Sequence, residues 1–158
     1  MELQVLALGN PVHNDPAYAP GMRQAMPNTL RILVADDNEM IRNGLCAVLE
    51  GRSGWVVCGH AVDGPDAVRK AAELKPDIIL VDVSMPELNG FEAAACIHEQ
   101  IPDAEILIVT EHDSSTLDQL PQLPGVRGYV VKSRIQRDLI SAVEAASKHQ
   151  PVALSAAT

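Results

Sequence analysis

Five short apolar runs along the chain alternate with stretches of helical periodicity. Runs of Ile, Leu and Val of this length predict the buried strands of a parallel sheet. The predicted strands are residues 30–35, 55–61, 77–82, 105–110 and 127–131. Helices are predicted near residues 39–50, 65–75, 90–100, 114–122 and 134–148. Five β–α units joined by right-handed crossovers predict an α/β fold, a doubly wound three-layer sandwich around one five-stranded parallel sheet.

Local signals support three of the helix starts. Asn38 is placed to act as the N-cap of the first helix. Pro65 falls in the first turn of the second helix, where proline is favoured. Ser133 and Gln136 have the spacing of a capping box at the start of the last helix.

Four of the five strands run into a polar side chain. Asp36 and Asp37 follow the first strand, Asp82 ends the third, Thr110 ends the fourth, and Lys132 follows the fifth. In an open parallel sheet, ligands bind outside the carboxyl ends of the strands, where the strand order reverses. The order 2-1-3-4-5 would bring the three aspartates together. The sequence alone does not fix that order.

These side chains favour a site for a divalent cation and a phosphoryl group. Three neighbouring carboxylates repel one another strongly unless a cation lies between them, and Mg²⁺ (or Mn²⁺) accepts such oxygen ligands. A carboxylate can also accept a phosphoryl group covalently. We therefore expect Asp82 to attack a phosphorylated donor, with Thr110 and Lys132 contacting the phosphoryl oxygens.

Each of the last two residues also has an ordinary structural explanation. Lys132 could be a surface cation flanking the last helix, and Thr110 a β-branched strand residue. Tyr129 lies on the face of the sheet opposite Val130, where core packing would explain it as well as a switching role would.

Composition limits the class of protein. With 158 residues, 47% hydrophobic, the chain suits one globular domain with a substantial core. A net charge of -9 argues against a nucleic-acid surface on this chain. No apolar run is long enough for a membrane span, and the start lacks the basic region of a signal peptide, so we expect a cytoplasmic location.

Three segments are predicted along the chain. Residues 1–28 contain four prolines and little periodicity, and are interpreted as a flexible N-terminal extension. Residues 29–149 form the domain, and residues 150–158 a short C-terminal tail. The three cysteines fit neither a zinc site nor a disulfide framework, and we expect them to be small buried hydrophobic residues. The histidines are scattered, and none is assigned as a ligand.

The polar and apolar pattern resembles the receiver domain of bacterial two-component response regulators, a family with a flavodoxin-like fold. The resemblance covers about residues 30–148. The matching stretches are RILVADDNEMIRNGL, HAVDGPDAV, DIILVDVSMPELNGFEA, ILIVT and GYVVKS. The segment VADDNEMIRNGL and the absence of proline after Lys132 resemble the subgroup that carries LuxR-type helix-turn-helix output domains.

The resemblance implies a role for each matching residue. Asp82 would be the phosphoacceptor in phosphorelay signal transduction, and Asp36 and Asp37 would hold Mg²⁺ together with the backbone carbonyl of Ser84 or Val83. Thr110 and Lys132 would contact the phosphoryl group, and Tyr129 would turn inward with Thr110. The implied partner is a sensor histidine kinase or a phosphotransfer protein, and a homodimer is compatible with the family.

The sequence departs from the family pattern in three places. Glu111 follows Thr110 where a small residue is usual and, with Ser84, could gate the site, which predicts slow phosphoryl transfer in and out. Pro121 and Pro124 predict a short or distorted helix near 114–122, because proline disrupts a helix interior. Only a short tail follows the last helix, which predicts a single-domain regulator or a receiver excised from a longer protein.

Three other functions remain to be compared with this interpretation. A phosphatase with an aspartyl nucleophile would need a second acid two positions after Asp82, where Ser84 stands. A flavin-binding protein would need a phosphate loop after the first strand, and that segment is acidic instead. A receiver fold kept only as a dimerisation module, without phosphorylation, is the third alternative.

Overall fold

The apolar runs form the five strands expected of them. The computed structural model describes residues 29–111, 118 and 123–148. The strands are β1 (Leu30–Ala35), β2 (Trp55–Ala61), β3 (Ile78–Asp82), β4 (Glu105–Thr110) and β5 (Val126–Val131). The helices are α1 (Glu39–Glu50), α2 (Gly64–Leu74), α3 (Gly90–Gln100) and α4 (Ile135–Ser147). The predicted bounds of these elements agree with the observed bounds to within one residue.

The strand order explains why separate parts of the sequence meet. All pairings are parallel, and the order is β2-β1-β3-β4-β5, which confirms the predicted doubly wound topology. β1 lies beside β3, with Ala35 opposite Val81. The residues that follow these two positions, Asp36 and Asp82, therefore leave the sheet at the same edge.

Two apolar layers hold the sheet between the helices. Alternate residues along each strand face opposite sides. On one side the strands pack against α1 and α4, through buried residues such as Leu45 and Leu139. On the other side they pack against α2 and α3, through small residues such as Ala67 and Ala93. Small side chains let these two helices lie close to the sheet.

Tyr129 and the cysteines lie largely as predicted. Tyr129 is buried with the α2 and α3 side of the core, while Val130 belongs to the opposite layer. Cys46 and Cys58 are buried and Cys96 is partly buried, all three as free thiols. Burial raises the pKa of the Cys46 thiol to about 11, which disfavours the reactive thiolate.

Capping confirms two predicted helix starts and corrects a third. The Asn38 side chain accepts from the Ile41 N–H at the start of α1, and Pro65 lies in the first turn of α2. The predicted capping box of Ser133 and Gln136 is wrong. β5 runs into a 3-10 turn over Lys132–Arg134, so Ser133 lies inside that turn, and α4 begins afterwards without a side-chain cap.

Several predictions concern residues that the structure does not describe. The helix predicted near 114–122, with Pro121, lies almost wholly outside the described residues, as do the predicted N-terminal extension and the C-terminal tail. Pro124 lies in the turn before β5. Within the described part of the chain, none of the helices has the length and apolar character that a membrane span requires.

Candidate functional site

Three aspartates gather at the carboxyl edge of the sheet. Asp36 and Asp37 follow β1, and Asp82 is the last residue of β3. One carboxylate oxygen from each of the three lies within 4.8 Å of the others. Because the neighbouring strands end at this edge, the sheet topology itself produces the cluster.

Burial makes the charge of this cluster costly. Asp36 is 0% exposed and Asp82 is 1% exposed, whereas Asp37 is open to solvent. Burial, with repulsion from Asp36, raises the pKa of Asp82 to about 6, although Lys132 and the Ser84 backbone act in the opposite direction. Removing a carboxylate from water disfavours its charged form, and a second carboxylate nearby adds to the effect.

Lys132 supplies the positive charge of the site. It follows β5 in the 3-10 turn, and its Nζ lies 3.1 Å from Asp36 Oδ2 and 3.1 Å from Asp82 Oδ1. Burial alone would lower the pKa of Lys132, but the two aspartates outweigh it and the pKa is raised. An ammonium between two buried carboxylates can hold an anionic group against them.

The buried oxygens meet the requirements of a hard divalent cation. Among the residues that the structure describes, Asp36 Oδ2 and both Asp82 oxygens are buried without a well-aligned hydrogen bond, so the Lys132 contacts are ion pairs. Buried polar atoms are nearly always satisfied. Mg²⁺ prefers carboxylate oxygens and retains several waters, so Asp36, Asp37 and Asp82 are suitable ligands for it.

The loop after β1 is held by two further contacts. The Asn38 backbone N–H donates to Asp36 Oδ1 at 2.8 Å. From α1, Arg42 Nη1 donates to the Asp36 backbone oxygen at 2.9 Å. Arg42 was not predicted as a site residue, and only its position one turn into α1, facing back towards the strand end, could have indicated it.

The start of α3 fixes the backbone around Asp82. The Gly90 N–H donates to the Val83 carbonyl oxygen at 2.9 Å. A Cβ atom at Gly90 would lie 2.3 Å from the Asp82 carbonyl oxygen, so no larger residue fits without a backbone shift. Since the Val83 carbonyl faces α3, the Ser84 carbonyl is the better candidate of the two predicted backbone ligands.

Thr110 and Tyr129 occupy the neighbouring strands. Thr110 ends β4 and is buried, one position beyond Val109, which pairs with Asp82. Tyr129 pairs with Ile108 and is buried within the sheet edge on the α2 and α3 side. Thr110 therefore lies on the strand next to Asp82, and Tyr129 lies on the strand beyond it, at the edge of the sheet.

Glu111 lies at the solvent side of Lys132. It follows β4 directly, and its Oε2 is 3.8 Å from Lys132 Nζ. Its side chain is 65% exposed, in contrast to the buried aspartates. Glu111 is therefore in contact with Lys132, whereas Ser84 belongs to the loop between β3 and α3.

Comparison with known proteins identifies the family. The model of the response regulator receiver domain family matches residues 32–144. The chain belongs to the response regulator receiver domain family. The match includes all of the residues assigned above to the candidate site, from Asp36 to Lys132. The predicted recognition and fold class are therefore confirmed.

The chain is similar to bacterial regulatory proteins. The receiver is 37% identical over 126 residues to the transcriptional regulatory protein LiaR of Bacillus subtilis, covering 77% of this chain and 58% of LiaR. It is 34% identical over 126 residues to the response regulator protein VraR of Staphylococcus aureus, covering 78% of this chain and 59% of VraR. The chain thus spans less than two thirds of the length of these relatives.

Solved structures give the same result. A LuxR-family two-component response regulator from Aurantimonas superposes with a TM-score of 0.74 at 34% identity, covering 82% of this chain and 91% of that one. The response regulator domain of Thermotoga maritima CheB superposes with a TM-score of 0.69 at 28% identity, covering 76% and 97%. The predicted similarity to the LuxR-type subgroup is confirmed.

Proposed function

We propose that this receiver accepts a phosphoryl group on Asp82 and signals through the resulting change at its surface. The observation that carries the proposal is the state of the Asp82 carboxylate. It is buried, its two oxygens lack well-aligned hydrogen bonds among the described residues, and Lys132 lies 3.1 Å away. A carboxylate held in this way is suited to attack phosphorus rather than to stabilise the fold.

The residues divide the chemistry among them. An Asp82 oxygen forms a bond to phosphorus while the bond from phosphorus to the donor breaks, and the leaving group takes its electron pair. Lys132, 3.1 Å from Asp82, and the hydroxyl of Thr110 would contact the phosphoryl oxygens. Asp36, Asp37 and the Ser84 carbonyl would hold Mg²⁺ or Mn²⁺, which would offset the negative charge that gathers there.

The surface beside Lys132 supports a protein as the donor, either a sensor histidine kinase or a phosphotransfer protein. A shallow groove of about 240 Å³ opens there between α1 and the start of α4. Met40 and Ile135 are among its lining residues, and Met40 is 78% exposed. An exposed methionine beside a groove is typical of a surface that contacts a partner.

The output would be a local switch. A phosphoryl group adds negative charge and strong acceptor oxygens at the strand ends. Thr110 would move to donate to it, and Tyr129 would follow into the space vacated, changing the surface around β4 and β5. This surface could serve a partner or a second copy of the chain, and a homodimer is included in the proposal.

Labelling by a small phosphodonor tests the proposal directly. The chain is incubated with acetyl phosphate and Mg²⁺ and its intact mass is measured. We expect a single phosphoryl adduct that decays with time, and none in Asp82→Asn. Asp103→Asn, an exposed acid between α3 and β4, is the matched control and should be labelled like the unmodified chain. An equal adduct on Asp82→Asn would rule out the proposed acceptor.

The same incubation separates the phosphatase and dimerisation alternatives when the released phosphate is measured together with the intact mass. A phosphatase with an aspartyl nucleophile would release phosphate from acetyl phosphate in many turnovers per chain. A dimerisation module without phosphorylation would show no adduct. Ser84 stands where the phosphatase would need its second acid, and this favours the receiver.

A further inference from the structure

Lys132 is shared among three carboxylates, and one of them differs from the others. The buried carboxylates of Asp36 and Asp82 each lie 3.1 Å from its Nζ. Glu111 Oε2 lies 3.8 Å from the same atom, and Glu111 is the only exposed carboxylate among the described residues within ion-pair distance of Lys132. Glu111 therefore places an exposed negative charge beside the ammonium that the proposed phosphoryl transfer uses.

The contact between Glu111 and Lys132 is longer than those of the two buried aspartates. A distance of 3.8 Å is an ion pair and not a hydrogen bond, and exposed pairs of this kind are weak. Glu111 therefore does not block Lys132, but it adds negative charge where a donor must pass.

The effect of that charge depends on the charge of the donor. Acetyl phosphate carries two negative charges near neutral pH, whereas phosphoramidate carries one net negative charge. At about 5 Å in a medium close to water, one carboxylate should slow the first donor on the order of tenfold and the second about threefold. A steric obstacle of the same size would slow both donors to a similar extent.

We propose that Glu111 is a specificity-determining residue, which selects against highly charged acyl phosphates and in favour of P–N phosphoryl donors of lower charge. This inference rests on the proposed phosphorylation of Asp82. In the favoured reaction, an Asp82 oxygen forms the bond to phosphorus and the P–N bond breaks. The nitrogen leaves with the bonding electron pair. A leaving nitrogen that is not already protonated takes a proton from solvent.

The test compares two donors on four chains. The unmodified protein, Glu111→Gln, Glu111→Ala and Glu73→Gln are labelled with acetyl phosphate or phosphoramidate in the presence of Mg²⁺, and the rate of adduct formation is followed by intact mass. Glu73→Gln is the matched control. It removes the same charge from a side chain that is 60% exposed and paired with Arg69 at 3.7 Å, on α2.

The expected pattern is specific to charge. Glu111→Gln should accelerate labelling by acetyl phosphate on the order of tenfold and by phosphoramidate about threefold. Both gains should shrink in high salt, because salt screens exposed charges. Glu111→Ala should behave like Glu111→Gln, and Glu73→Gln like the unmodified chain.

Other outcomes overturn the inference in distinguishable ways. Equal rates in the unmodified chain and Glu111→Gln would show that the charge has no effect. Acceleration in Glu111→Ala but not in Glu111→Gln, or an equal gain with both donors, would show that bulk and not charge limits access. Absence of label from every chain with both donors would overturn the proposed function itself, and this inference with it.

Discussion

At the scale of single residues, the buried carboxylate of Asp82 lowers the stability of the fold when it is ionised. Its pKa is about 6 in the folded chain, against an ordinary value of 3.8, chiefly because it is buried. A pKa raised in this way means that the folded state binds the proton more tightly than the unfolded state does. The fold is therefore less stable when Asp82 is ionised than when it is protonated.

This cost predicts a pH-dependent gain in stability for Asp82→Asn. Between pH 3.8 and about 6, the folded state binds more protons than the unfolded state, so stability falls as the pH rises through this window. The variant lacks this loss. Relative to the unmodified chain, Asp82→Asn should gain up to about 3 kcal/mol on going from about pH 4 to about pH 7.

Urea denaturation in the presence of a chelator measures this difference. Asp103→Asn, whose side chain is exposed, serves as the control and should show little change across the same pH range. A difference in unfolding free energy between Asp82→Asn and the unmodified chain that stayed constant from acid to neutral pH would contradict the conclusion that burial disfavours the charged form of Asp82.

At the scale of elements, the junction of β3 with α3 is built around the absence of a side chain at position 90. A Cβ atom there would lie 2.3 Å from the Asp82 carbonyl oxygen and 2.8 Å from the Val83 Cα. Both neighbours are backbone atoms, which cannot rotate away. The N-terminus of α3 can approach Asp82 only because position 90 is glycine.

Gly90→Ala should therefore lower both stability and phosphorylation. Overpacking of this kind costs about 1–3 kcal/mol, and the backbone shift would displace the Asp82 carboxylate from Lys132. The measurements are urea denaturation and the rate of labelling by acetyl phosphate.

Gly44→Ala is the matched control for this prediction. A Cβ atom at Gly44, in the interior of α1, meets nothing within 4 Å. Alanine is favoured over glycine in a helix interior by about 1 kcal/mol, so this variant should be more stable and label normally. A Gly90→Ala protein as stable and as rapidly labelled as Gly44→Ala would show that the junction is not tightly packed.

The elements also show where sequence reasoning succeeds and fails. Apolar runs and caps such as Asn38 act locally, so the strands and most helix ends could be predicted. The capping box predicted at Ser133 does not form, because β5 continues into a 3-10 turn that the local pattern does not encode. The spacing of capping residues predicts a helix start only when no further turn lies between the preceding strand and the helix.

At the scale of the whole molecule, the site depends on contacts that are distant in sequence. The aspartates were predicted because polar residues at strand ends are visible in the sequence. Their closeness required the observed strand order, which no local pattern determines. The roles of Arg42 and Gly90 depend on how α1 and α3 approach the sheet, so they became visible only in three dimensions.

Because the site is assembled from distant segments, metal binding and global folding should be coupled. Asp36 and Asp37 come from the end of β1, and Asp82 from the end of β3, more than forty positions later. The unfolded chain does not hold these carboxylates together. A cation that binds them therefore binds the folded state alone, and it stabilises the fold by mass action.

Mg²⁺ should consequently raise the thermal stability of the protein. At a concentration about one hundred times its dissociation constant, Mg²⁺ should stabilise the fold by about 2.7 kcal/mol. The midpoint temperature of thermal unfolding should return to its original value when a chelator is added. Asp37→Asn removes the solvent-exposed member of the proposed ligand set without leaving a buried polar atom, so it should fold normally and lose most of the Mg²⁺ dependence. Glu73→Gln, which removes an exposed charge on α2, should keep that dependence. Thermal denaturation of the three chains over a range of Mg²⁺ concentrations makes the comparison, and an equal shift in Asp37→Asn would place the cation elsewhere on this acidic protein.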